Sequence, residues 1–195
     1  TGWGQTGPMA QVAGHDLNYL AITGVLHAIG SPELPLPPLN VVADMGGGAM
    51  FLAVGILSAV LEARASGKGQ TVDVSMVEGS AYLGMGHYGL VSSGNWVHER
   101  GANFTDGGAH FYRCYRTKDD KFVSIASIEA KFYAMLLDAI GLDAKDLPPQ
   151  MDRSTWPEMS RRFEGIFAQK TRDEWCAIME GTDICFAPVL NFEEA

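Results

Sequence analysis

The sequence predicts an α/β layered protein with a separate, smaller α+β unit after about residue 110. Three observations predict it. Long apolar helical stretches alternate with short apolar runs up to residue 92. A hairpin pattern follows at 110–128, and amphipathic helices close the chain. With 195 residues, of which 47% are hydrophobic and 19% charged, the chain can bury a core in one domain or two small ones.

The elements follow in order. Residues 1–14 are rich in Gly, Pro and Gln and read as a loop. Asp16 stands as an N-cap before Leu17, Leu20, Ala21, Val25 and Leu26 at helical spacing, with an end near Gly30. Pro32, Pro35, Pro37 and Pro38 impose an extended loop. A short apolar stretch at 39–43 leads to Asp44 and to Gly46-Gly47-Gly48. A long apolar helix over 49–66 is stopped by Gly67-Lys68-Gly69. Residues 71–75 alternate like a strand, and 76–92 are helical again.

After an irregular stretch at 93–108, strands at 110–116 and 122–128 flank the turn Lys118-Asp119-Asp120-Lys121. Helix signals at 130–140 end at Gly141. Thr155 with Glu158, and Thr171 with Glu174, have capping-box spacing before helices at 156–169 and 172–180. A last short strand is expected at 184–190.

Composition excludes some classes of function. A formal net charge of −9 argues against a nucleic-acid binder, which carries a basic face. Cys114, Cys176 and Cys185 are odd in number and widely spaced, which fits neither a disulfide framework nor a metal box. They read as reduced thiols of a cytosolic type of protein, with Cys176 and Cys185 in the core. The apolar run around 50–61 falls short of the roughly 18 residues that a membrane span needs. Thr1 begins within a loop and Ala195 follows no terminating element, so the chain is expected to be an internal fragment.

Three residues stand out for chemistry. Asp44, between an apolar stretch and a glycine-rich helix start, puts a carboxylate at the positive end of a helix. Spacing alone fits either a functional group there or an ordinary N-cap. His15 opens a helix, where the N-terminal field disfavours the imidazolium unless a carboxylate answers it. His27, His87, His98 and His110 carry no such positional signal. Glu129 ends an apolar strand and precedes a helix, where it can simply complement the helix dipole. Nothing in the spacing pairs it with His15.

Several strings carry a resemblance. Gly14-His15-Asp16-Leu17-Asn18-Tyr19 resembles the active-site histidine segment of the alpha-methylacyl-CoA racemases, within the family III CoA-transferase (CaiB/BaiF) superfamily. Thr1-Gly2-Trp3-Gly4-Gln5-Thr6-Gly7-Pro8 is similar to that superfamily's Gly-Gln-Gly-Pro loop. Pro37-Pro38-Leu39-Asn40-Val41-Val42-Ala43-Asp44 resembles its catalytic aspartate segment. Gly107-Gly108-Ala109-His110-Phe111-Tyr112, Ser127-Ile128-Glu129, Thr171-Arg172-Asp173-Glu174-Trp175 and Glu180-Gly181-Thr182-Asp183 resemble later segments.

The resemblance implies a truncated Rossmann-like large domain over 1–75, a linker over 76–109 and a small α+β domain over 110–195. It implies an interlocked homodimer when complete. His15 and Asp44 would be the two acid/base residues, with Glu129 orienting His15. Gly14, Tyr19, Asn40, Tyr112 and Ile128 would line the acyl-CoA site. The backbone amides of Asp44, Met45 and Gly46 would face an enolate oxygen. The implied reaction is racemisation of 2-methylacyl-CoA thioesters. The alternative is transfer of CoA between carboxylic acids through an acyl adduct on Asp44. Neither needs a metal or a separate cofactor, because CoA is part of the substrate. No nucleic-acid or membrane partner is expected, and a bacterial source would place the protein in the cytoplasm.

Overall fold

A computed structural model describes all of residues 1–195 and divides them into two compact units, Thr1–Arg100 and Gly101–Ala195. The first unit contains α1 (Asp16–Ile22), a π-helix Val41–Met50 running directly into α2 (Phe51–Ser66), α3 (Met76–Leu83) and α4 (Met85–Ser92). The second contains β1 (Tyr112–Arg116), β2 (Phe122–Ala126), α5 (Ala130–Ala139), α6 (Trp156–Phe167), α7 (Arg172–Met179) and β3 (Phe186–Val189).

The first unit is helical. The alternation at 71–75 forms no strand. Its end is instead tied to the start of the chain, where Thr1 O accepts from Met76 N–H and Gly2 O from Val77 N–H. The apolar stretch at 39–43 enters the helix that carries Asp44, so that the helix begins about two turns earlier than its pattern suggests. α1 is shorter than expected because Gly24, at φ +78°, turns the chain away; only one further turn, Leu26–Ala28, follows. The helices of 76–92, part of a linker on the resemblance, cluster with this first unit. The physical reason is a backbone contact: a Cβ on Gly79 would lie 1.9 Å from Gly47 O, so α3 can approach the π-helix only where both residues lack side chains.

The core of this unit is small. Only Tyr19, Leu20 and Ala43 are buried apolar residues, while Leu52, Val54, Ile56, Leu57, Val60 and Leu61 of α2 are exposed. The expectation that no apolar run is long enough for a membrane is corrected here. Val41–Ser66 is a continuous helical stretch of 26 residues, with a mean hydropathy of 1.7 over its most apolar window and only 11% of that window buried. The glycines at 46–48 do not break it, so two short apolar patterns fuse into one long one. Length and composition alone meet the requirement of a span.

The second unit follows its pattern closely. β1, β2 and β3 form an antiparallel sheet in that order, with Tyr115 opposite Val123 and Val123 opposite Pro188. Val123 and Ile125 alternate inward along β2. The hairpin closes with Thr117 N–H donating to Lys121 O, and Asp120 takes the left-handed conformation at φ +58°. α6 lays Trp156, Met159, Phe163 and Phe167 against the sheet at helical spacing, and Phe167 stacks on Tyr115 with ring centroids 4.8 Å apart.

Of the two capping boxes, one forms. Thr171 Oγ1 accepts from Glu174 N–H, and Glu174 Oε2 accepts from Thr171 N–H. Thr155 instead lies in a helical conformation, because Asp152 has already capped the turn before it. Arg172, buried, is held by a two-pronged ion pair to Glu194 with separations of 2.9 and 2.6 Å. That partner holds the Glu194 carboxyl down at about 2. Cys185 and Cys176 are not core residues as expected: the first is exposed and the second half-buried. Desolvation, then neighbouring carboxylates, push both thiols up.

His110 lies at the centre of this unit, 1% exposed, with Nε2 2.8 Å from the Tyr133 hydroxyl and aromatic edges of Phe111 and Phe163 around it. Burial pushes its pKa down to about 4. The folded state therefore holds His110 neutral where the unfolded chain would protonate it. The stability this contributes is intact above about pH 6.5 and is lost as pH falls from there through about 4, amounting to roughly 3 kcal/mol. We expect the second unit's urea midpoint to fall over that interval, and His110→Gln to flatten the dependence. A wild-type midpoint independent of pH between 7 and 4 would contradict the account.

Candidate active site

Asp44 is in the first turn of the 26-residue helical run, one turn beyond its N-cap Asn40. The first amides of any helix lack partners within it, and their field favours an anion. Here the partner comes from another element. Asp16, the first residue of α1, is 5% exposed, and its Oδ2 accepts from both Ala43 N–H and Asp44 N–H at 2.8 Å. Asp16 is therefore not the N-cap of its own helix. His15 takes that position, in an extended conformation at φ −134°, with its N–H given to Asn18 Oδ1 at 3.1 Å.

This bond brings two of the predicted residues together: His15 precedes a residue whose carboxylate is bonded to the Asp44 backbone. His15 is exposed and Asp44 half-exposed. The His15 segment is supported from behind. Tyr19 is 5% exposed and donates its hydroxyl to Gly14 O, while Trp3 meets its ring edge-on at 4.6 Å. A Cβ on Gly14 would come within 2.7 Å of Trp3. Tyr19 thus faces the unit's small core and shapes the loop. Asn40 is exposed, with Nδ2 3.4 Å from Asp44 Oδ2.

The amides expected to meet an enolate oxygen require a correction. That of Asp44 is already donated to Asp16. Those of Met45 and Gly46 lie where the π-helix begins its own bonds, five residues apart, to the carbonyls of residues 40 and 41. What this end of the helix offers is its summed dipole rather than free donors.

Tyr112, Ile128 and Glu129 belong to the second unit. Tyr112 and Ile128 are half-buried, and Glu129 is the exposed N-cap residue of α5, with no cap hydrogen bond from its side chain. The Ser127–Glu129 segment is fixed by Gln150, whose Nε2 donates to Ser127 O at 2.9 Å and Ile128 O at 3.0 Å. The Ser127 hydroxyl is donated to Ile184 O. Sequence reasoning missed Asp16, Gly79 and Gln150 in these supporting roles. The small pair Gly79-Ser80 opposite Gly46-Gly47-Gly48 is the one signal that was available.

The fold and this site define the class. The model of the CoA-transferase family III matches residues 1–195, and the chain belongs to that family. Within it, the chain is 50% identical over 196 residues to the alpha-methylacyl-CoA racemase of Mus musculus and 47% identical over 195 residues to that of Homo sapiens. Each comparison covers 100% of this chain and 51% of the relative, so the chain spans about half the length of these curated relatives. The crystal structure of a CAIB/BAIF family protein from Brucella suis matches the fold with a TM-score of 0.76 at 20% identity, covering 100% of this chain and 52% of that one.

The backbone contact under the π-helix can be tested directly. Gly79→Ala must push α3 away from Gly47 and should destabilise the first unit by about 1–3 kcal/mol. Gly165→Ala, on α6 with open space around it, should instead be stabilising by about 0.4–1 kcal/mol. Urea titration of both variants checks the contrast, and equal effects would contradict it.

Proposed function

We propose that the full-length protein carrying this chain interconverts the epimers of 2-methylacyl-CoA thioesters by proton transfer through an enolate. The observation that carries the reading is the hydrogen bond that the Asp44 amide donates to the carboxylate of Asp16, the residue next to His15. The identity of about half the residues to named racemases supports it.

One of the two groups removes the proton from the carbon next to the thioester carbonyl, and the electron pair moves to the carbonyl oxygen as an enolate. The other group delivers a proton to the opposite face, and the electron pair returns. The positive end of the Val41–Ser66 helical run favours the negative charge that develops. Glu129 is assigned, on the resemblance, to hydrogen-bond the His15 imidazole and hold its orientation. Gly14, Asn40, Tyr112 and Ile128 are assigned to the acyl-CoA site, with Tyr19 behind it. CoA arrives as part of the substrate, and no metal or further cofactor enters the scheme.

The apolar outer face of α2 is, on the same reading, covered by protein in an interlocked homodimer rather than by lipid. The three free cysteines suit a reducing compartment such as the cytoplasm.

Incubation of the full-length protein with one epimer in deuterated water should place deuterium at the α carbon with loss of chirality. His15→Ala and Asp44→Ala should each lower that exchange by about 10²–10⁴-fold. Glu129→Gln should lower it less. Movement of CoA to a free acid, with a trapped acyl adduct on Asp44, would replace this reading by the transferase one. A fully active His15→Ala protein would also overturn it. Sedimentation should find a soluble dimer, and recovery with the membrane fraction would refute the assignment of the α2 face.

A further inference from the structure

We propose that Asp16 is a positioning residue: its buried carboxylate, accepting from the N–H groups of Ala43 and Asp44, fixes where the Asp44 side chain stands relative to His15. Two features single out this side chain. It is 5% exposed, a rare environment for a carboxylate, and it satisfies helix amides 27 and 28 residues away rather than those of its own helix. All of its anchoring passes through Oδ2, because Oδ1 is buried with no hydrogen-bond partner.

The covalent connections make the effect specific. Asp16 follows His15 directly, and one of its two donors is the amide of Asp44 itself. A shift of α1 against the π-helix therefore cannot occur without breaking this bond. Apolar packing of Tyr19 and Leu20 with Ala43 also spans the two segments, but it is non-directional, and the other named contacts act on one side only. Asn18 and Tyr19 hold the His15 segment, and Gly47 against Gly79 holds the π-helix. Among the directional contacts, the Asp16 carboxylate is the one that joins the two segments. Asp16 need not touch the substrate for this. It acts through Asp44, as a carboxylate clamp on a helix start.

The inference rests on the reading of His15 and Asp44 as the acid/base pair, so the test has one readout that depends on it and one that does not. In the full-length protein, amide exchange of Ala43 and Asp44 should be slow in wild type and in Asp16→Asn, which keeps an acceptor oxygen. It should speed up in Asp16→Ala. With a 2-methylacyl-CoA in deuterated water, Asp16→Ala should lose about 10²-fold in kcat, the scale of a misplacement near 1 Å, while KM changes little. Asp16→Asn should recover most of it. Should Asp16→Ala not fold, Asp16→Glu takes its place: it keeps the charge, moves the acceptor by one methylene, and should also lose kcat.

Wild-type kcat in folded Asp16→Ala or Asp16→Glu overturns the proposal. So does Asp16→Asn as impaired as Asp16→Ala, or amide exchange unchanged by removal of the carboxylate. Absence of α-proton exchange in wild type refutes the racemase reading instead, and the amide readout then decides the clamp by itself.

Discussion

A carboxylate bonded to the first turn of a helix holds the first unit together where it matters. Asp16 Oδ2 meets two amides at 2.8 Å each, and with them it joins α1 to the π-helix. Charge-assisted bonds of this kind are stronger than neutral ones, and burial shields them from water. The remaining supports are arranged around that joint. Tyr19 and Trp3 prop the loop before His15, and glycines at 47 and 79 let α3 press on the helix from the other side. The unit has few buried apolar residues, so a small number of directional contacts does the positioning that a larger core would otherwise do.

The second unit is built on the opposite principle. Sixteen buried apolar residues, many of them aromatic, form one continuous cluster between the sheet and α5, α6 and α7. Its polar contacts serve to fix particular segments. Gln150 and Ser127 secure the turn that carries Glu129, and Arg172 ties the chain end through Glu194. The same protein thus presents one candidate group from a rigid, well-packed body and two from a lightly packed one.

What was legible in the sequence follows from how local the determining contacts are. The hairpin at 112–126 is encoded by alternation and by a turn that accepts Asp120 at positive φ, both within a few residues. The box at Thr171 and Glu174 is equally local, and it forms. The identical spacing at Thr155 fails because Asp152, just upstream, starts the turn first. Gly46-Gly47-Gly48 look like a helix boundary, but they are the inner face of a packed helix, a fact that depends on Gly79 more than thirty residues later. His15 and Asp44 were marked by type and position. The carboxylate that joins them was hidden, because its donors lie 27 and 28 residues away and its own surroundings already offered a sufficient explanation as a cap.

The α2 face has a consequence for how such a protein is made. Leu52, Val54, Ile56, Leu57, Val60 and Leu61 emerge from the ribosome early in this stretch and find little within their own unit to bury them. While they are exposed, they are open to adhesion between nascent chains. Biosynthesis therefore sets a race between folding and precipitation, and chaperones that shelter greasy helices should govern the yield of usable protein.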